Sequence, residues 1–295
     1  MKASPSLYRI STWLLLAFVF GLAVFPAKTQ AIAHDEALTY EWFLQGSVYQ
    51  VLRFNSTNHI LFTLLAKLAV KLLGLTEFTL RLPGLIGAAA YLAFAYLLWL
   101  HLFGEGPLLL VSVGLLSLNL QMPDFMAAAR GYILAAAFLT GSLYVAARAV
   151  DRGRFDGNDR KWRRACVQIS VLLALSTASN LTNAFPAVCL MFCFSLLVLP
   201  ELAGLRLPAR RTLETYATSI LLPGFLLGSL LMWPFLIQAR PAHFHMGNPL
   251  AADAIRDWFK ASFLYKWTGD VYSSSLGAVP PVPGTWPAIV SDLGV

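Results

Sequence analysis

Uncharged apolar runs recur along the chain at close to the thickness of a bilayer core, and the charged residues fall between them. Thr12 to Ala27 carries no charge, and comparable runs cover about 83–103, 107–122, 131–149, 166–182, 184–200 and 216–237. Together with 11–27 for the first, these runs predict seven membrane-spanning helices, since a helix needs roughly 20 apolar residues to cross hydrocarbon. One further stretch, Asn58 to Gly74 (NHILFTLLAKLAVKLLG), is apolar but holds Lys67 and Lys71 in its inner half. A lysine at a bilayer centre costs about 2.5–3.5 kcal/mol.

Basic residues decide how that stretch is used. Arg148, Arg152, Arg154, Arg160, Lys161, Arg163 and Arg164 cluster between two runs, and Arg206, Arg210 and Arg211 between the next two. With Lys2 and Arg9 inside and 58–74 not spanning, both clusters fall in cytoplasmic loops, as the positive-inside rule requires. Counting 58–74 as a span exports both. The stretch is therefore expected to lie in the outer interface as an amphipathic helix, with His59, Thr63, Lys67 and Lys71 along one edge. The organisation predicted is a transmembrane domain over 1–237, with a large outer loop at 28–82, and an outer-side tail over 238–295. Ala31-Ile32-Ala33 resembles a signal cleavage site, but the long apolar stretch before it and Lys28 favour an uncleaved anchor.

Composition sharpens the class. The chain is 58% hydrophobic and 13% charged, with a mean hydropathy of +0.64, against about a quarter charged in a soluble domain. The net charge of +7 resides in short loops between spans, so it is a topological signal and not a nucleic-acid surface. Cys166, Cys189 and Cys193 all lie in apolar runs and read as packing residues.

Three outer segments carry polar groups that apolar packing does not explain. His34-Asp35-Glu36 follows the first span; Asn58-His59 opens the interfacial helix; Gln121 to Phe125 is followed by Ala129-Arg130-Gly131-Tyr132 at the head of the next span. By themselves, Asp35 and Glu36 also suit the first turn of a helix, where carboxylates are favoured. Lys67 and Lys71 also suit simple snorkelling. Arg130 with Tyr132 suits either an interfacial anchor or a functional pair. His243 and His245, and Asp270 with its neighbouring serines, are weaker tail candidates.

These residues, in this order, resemble the C-type (GT-C) glycosyltransferases. The motifs are the H-D-E-A after the first span, Asn58-His59-Ile60-Leu61-Phe62-Thr63, Glu77-Phe78-Thr79-Leu80-Arg81-Leu82-Pro83 and Ala129-Arg130-Gly131-Tyr132. The nearest look-alikes are bacterial relatives of the dolichyl-phosphate-mannose protein mannosyltransferases and of the lipid A aminoarabinose transferases, over roughly residues 1–240. The resemblance implies an all-α polytopic membrane bundle and a polyprenyl-phosphate-linked sugar as donor. It also implies transfer to a protein, glycan or lipid acceptor on the non-cytoplasmic side, that is, outside the inner membrane in a bacterial host.

By the same resemblance Asp35 is the catalytic base, with Glu36 beside it as support or as a ligand for a divalent metal. Arg130, His59, Lys67 and Arg81 are the available cations for the lipid phosphate, and Asn58 and Tyr132 the positions expected to meet substrate. A sugar phosphate already has a good leaving group, so one carboxylate suffices to deprotonate the incoming hydroxyl, with inversion. Members of the family commonly continue through further spans, so the resemblance implies either a compact variant or an N-terminal part of such an enzyme. The alternatives carried beside it are a transporter or flippase and a noncatalytic relative.

Overall fold

The structure is a computed structural model that describes residues 5–52, 58–119, 121–151, 160–204, 214 and 216–238. The chain separates into two compact units, Met1–Met246 and Gly247–Val295. The second unit, and with it the tail containing His243, His245 and Asp270, lies outside the described residues.

Among the described residues the secondary structure is entirely helical. Helix α1 (Pro5–Thr29) is followed by the short α2 (His34–Thr39), which runs into a π-helical turn at Tyr40–Leu44. Next come α3 (Val48–Val51), α4 (Ile60–Leu73) and the long α5 (Glu77–Phe103). Helices α6 (Pro107–Ser117) and α7 (Gln121–Ala127) form a pair bent by 65°. Then follow α8 (Tyr132–Asp151), α9 (Arg160–Ser179), α10 (Ala184–Gly204) and, after a π-helical turn at Ala217–Leu221, α11 (Leu222–Gln238). Each apolar run of the sequence is helical over most of its described residues. Four helices, over Leu7–Thr29, Glu77–Phe103, Tyr132–Asp151 and Leu181–Val198, are long and apolar enough to cross a membrane, and the bent α6–α7 pair makes a fifth if it is one span.

Small residues let these helices approach. A Cβ on Gly87 of α5 would sit 3.0 Å from the Leu134 backbone of α8, and one on Gly224 of α11 would sit 2.5 Å from the Ser170 carbonyl of α9. Close packing of this kind is what holds helices together where lipid removes the hydrophobic drive. Large side chains such as Leu14, Phe25, Leu115, Phe185 and Leu230 point outward on the other faces, as helices facing hydrocarbon require.

The two ends of the bundle differ. At one end Arg9 pairs with Glu105 (3.3 Å) and His101 with Asp151 (3.0 Å), next to the basic start of α9. At the other end the C-termini of α1 and α9 meet the N-termini of α2, α5 and α8, and this end carries Asp35, Glu36, His59, Arg81, Arg130 and Tyr132.

Helix α4 is a short helix, ended by Gly74 at φ 83°, a left-handed cap that glycine adopts without strain. Its orientation corrects the expectation of a polar edge turned to water. His59, Thr63 and Ala66 are buried, whereas Leu65, Leu68, Leu72 and Lys71 are exposed. The reason is hydrogen bonding. Lys67 Nζ donates to the Leu44 carbonyl at 2.8 Å and to the Gly46 carbonyl, which turns this part of the polar edge inward and the leucines outward and leaves Lys71 exposed at the helix end.

A candidate catalytic site at the α2–α8 junction

The site grows from one buried carboxylate. Glu36 lies in the first turn of α2, only 3% exposed, and its two oxygens accept four hydrogen bonds. Oε1 takes Arg81 Nε at 3.0 Å and the Ala129 N–H at 2.6 Å; Oε2 takes Arg81 Nη2 at 2.6 Å and the Ala33 N–H at 2.9 Å. The Ala33 bond satisfies a backbone donor at the start of α2 from three residues along, as in half of a capping box. Burial raises the carboxyl's pKa, but the Arg81 hydrogen bonds and the two backbone amides outweigh it and hold Glu36 below the usual carboxylate range.

Arg81, in the second turn of α5, spends its remaining donors on the end of α1. Nη1 faces the carbonyls of Gln30 (2.8 Å), Pro26 and Ala27 (both 3.3 Å), and Nη2 donates to Ala31 at 2.9 Å. A guanidinium has five N–H donors, and all are committed. A cation here also suits the negative end of the α1 dipole.

Two expectations change as a result. The structure turns Glu36 inward, with two protein donors on each carboxylate oxygen in place of a metal or substrate. Arg81 is not a phosphate-facing cation. Lys67 commits two of its three ammonium protons to backbone carbonyls. Asn58 is buried and serves the scaffold, donating to the Val51 carbonyl (2.7 Å) and accepting from Thr63 Oγ1 (3.0 Å).

The residue before Glu36 on the same helix turns the other way. Successive helical positions differ by about 100°, so an inward Glu36 sets Asp35 outward. The Asp35 side chain is 44% exposed, and its Oδ2 meets Arg130 Nη2 at 2.9 Å. Arg130, 18% exposed, donates through Nη1 to Tyr132 Oη at 3.1 Å and lies 5.8 Å from the centre of that ring. Tyr132 is flanked by His59, edge-on at 4.9 Å, and by Phe125, stacked at 4.9 Å. Asp35, Arg130, Tyr132 and His59 thus lie together in a chain of contacts.

His59 plays a different part from the one expected. Burial first, and the Arg130 charge second, push its pKa down to about 4, against a hydrogen bond to the Ser179 backbone. The ring is neutral at physiological pH and adds no cation. Its Nε2 and the Nε of Arg130 are both buried without a hydrogen-bond partner among the described residues, an arrangement that carries a desolvation cost. The unfolded histidine titrates near 6.5, so between about 6.5 and 4 the unfolded chain binds the extra proton. Stability should therefore be full above about pH 6.5 and fall as pH drops toward 4. Melting midpoints across that window should slope in the wild type and flatten in His59→Asn; equal slopes would mean His59 is not buried neutral.

Backbone groups complete the site, and these no side-chain motif signals. The segment 128–131 is wedged: a Cβ on Gly84 of α5 would lie 2.9 Å from the Ala128 carbonyl, and one on Gly131 would lie 1.9 Å from the Ser179 carbonyl and 2.9 Å from His59 Cβ. Gly131→Ala must push the end of α9 off the segment, which forces backbone and not a pliable side chain to move. We expect a loss of about 3 kcal/mol, the upper range of overpacking, read as a drop in denaturation midpoint. A midpoint within error of wild type would show that the segment is free to shift.

Among the described residues no group of three or more His, Cys, Asp or Glu side chains is placed to hold a metal. Two apolar clefts, of about 620 and 470 Å³, lie between α5, α8 and α10 and between α9, α10 and α11, and none of the converging residues lines them.

The fold and site together define a helical protein with four helices long and apolar enough to cross a membrane and a carboxylate–guanidinium pair at one end of the bundle. No family model, no curated protein and no solved structure matches the chain.

Proposed function

We propose that this protein is an inverting membrane glycosyltransferase of the GT-C type that uses a polyprenyl-phosphate-linked sugar. The observation that carries the reading is the Asp35–Arg130 pair: a half-exposed carboxylate and a guanidinium 2.9 Å apart, beside a tyrosine and at the end of the bundle away from the basic helix start. On this reading seven helices cross the membrane, the Arg148–Arg164 region is cytoplasmic, and the pair faces the outer side.

In the reaction, an acceptor hydroxyl attacks the anomeric carbon from the face opposite the phosphate. Its oxygen forms the new glycosidic bond, its proton passes to Asp35, and the bond from the anomeric carbon to the phosphate oxygen breaks. Polyprenyl phosphate departs with the bonding electrons. Arg130 neutralises the charge that develops on it, a fixed cation being worth most where water is scarce. Tyr132 holds the guanidinium, and the isoprenoid tail stays in lipid. The location of the ionisable residues favours an enzyme over a transporter: in the described spans they sit at helix ends, while transporters place them near mid-membrane.

The test uses the full chain in lipid nanodiscs with a panel of polyprenyl-phosphate-linked sugars, measuring free polyprenyl phosphate. Release that requires Asp35 supports the reading. Release that persists in Asp35→Asn, or none from any donor, ends it.

A further inference from the structure

We infer that Glu36 and Arg81 are positioning residues for the transfer reaction, setting the distance between the base and the phosphate-facing cation. The inference rests on the glycosyltransferase reading, but its geometric part can be tested without it.

The argument starts from what one carboxylate touches. Glu36 is the chain neighbour of Asp35, so fixing its side chain fixes the turn of α2 that presents the base. The same carboxylate accepts the N–H of Ala129 at 2.6 Å, and Ala129 is the chain neighbour of Arg130. A single buried group therefore holds both members of the Asp35–Arg130 pair, each through the residue beside it. Arg81 fixes the carboxylate in turn, by two near-parallel bonds at 3.0 and 2.6 Å, and refers its position to α5 and to the end of α1.

The fork geometry restricts the degrees of freedom that matter. A bidentate guanidinium–carboxylate pair fixes orientation as well as distance, and both side chains are almost wholly buried, at 3% and 4% exposure. On its far side the 128–131 segment is stopped by the Ser179 carbonyl at Gly131. Arg130 thus sits between a hydrogen-bonded neighbour and a sterically blocked one, and the segment has no room to slide. Reacting groups misplaced by about 1 Å lose on the order of a hundredfold in rate, so a carboxylate that never touches substrate governs the rate through this placement.

Glu36→Gln tests it. A glutamine keeps the shape, but its amide nitrogen turns donors toward one Arg81 nitrogen and one of the two backbone N–H groups, so two of the four bonds are lost. In nanodiscs the variant should lower kcat by about a hundredfold with donor KM within about twofold. Arg81→Lys, which keeps the charge and loses the fork, should do the same and serves if Glu36→Gln fails to fold. A kcat equal to wild type, or a change confined to KM, overturns the proposal.

The second arm reads geometry directly. In a chain with Cys166, Cys189 and Cys193 replaced by alanine, Asp35→Cys and Arg130→Cys are joined by a short bismaleimide. These substitutions remove the ion pair, so only the clamp sets the separation. Adding Glu36→Gln should cut the cross-linking yield severalfold while the melting transition persists; an unchanged yield overturns positioning. If the wild type releases no polyprenyl phosphate from any donor, the functional reading falls, and the cross-link still decides whether the clamp sets the spacing.

Discussion

Asp35→Asn should lower transfer by about 10²–10⁴-fold, the range a positioned general base contributes, with donor KM unchanged or reduced. The asymmetry follows from the site's charges. Among the described residues Asp35 is the carboxylate paired with Arg130, at 2.9 Å, and an incoming phosphate competes with it for the guanidinium. Asparagine keeps a hydrogen-bond acceptor for Arg130 but removes the negative charge, so the donor loses a competitor while the acceptor hydroxyl loses its base. Steady-state kinetics separate the two: a fall confined to kcat fits a base. A rise confined to KM would instead assign Asp35 to binding, and an unchanged kcat would leave it as an anchor for Arg130.

Glu36→Ala should be the most destabilising single change at this end of the molecule, by about 3–5 kcal/mol, the typical outcome when one partner of a buried ion pair is removed. Arg81 would keep its carbonyl acceptors but carry an unpaired charge, and the N–H groups of Ala33 and Ala129 would lose their acceptor. Replacing both partners together, Glu36→Leu with Arg81→Met, should recover part of the loss because no buried charge then remains. Denaturant or thermal midpoints in detergent measure all three. A double variant no more stable than Glu36→Ala would mean that the backbone bonds, not the ion pair, dominate.

The sequence exposed the helices more readily than the division of labour among its charges. Uncharged runs of bilayer length gave the helices α1, α5, α8 and α10, because hydropathy depends on composition alone. It also placed Asp35, His59, Arg130 and Tyr132 in segments that meet. Arg81 and Lys67 were harder: a lysine or arginine near an interface looks the same whether it faces a phosphate or a row of backbone carbonyls, since carbonyls leave no trace in side-chain patterns. Asp35 and Glu36 were ambiguous for a related reason. They share chemistry and differ by one step of helix rotation, and the direction of that rotation was set by Arg81, far along the chain. The inward turn of the α4 polar edge depended on Leu44 and Gly46 carbonyls presented after a π-helical turn, again a backbone feature. The histidine's neutrality came from burial, which periodicity did not specify.

The clamp also orders events during synthesis. Glu36 leaves the ribosome 45 residues before its arginine and 93 before the Ala129 amide, and Gly131 finds its stop only when Ser179 arrives. Until Arg81 emerges the carboxylate must stay hydrated, and the end of α1 lacks its cap. The stop on the 128–131 segment is therefore a late product of translation, complete only once the end of α9 has been delivered, and a ribosome stalled before that point holds the Asp35–Arg130 pair clamped on one side alone.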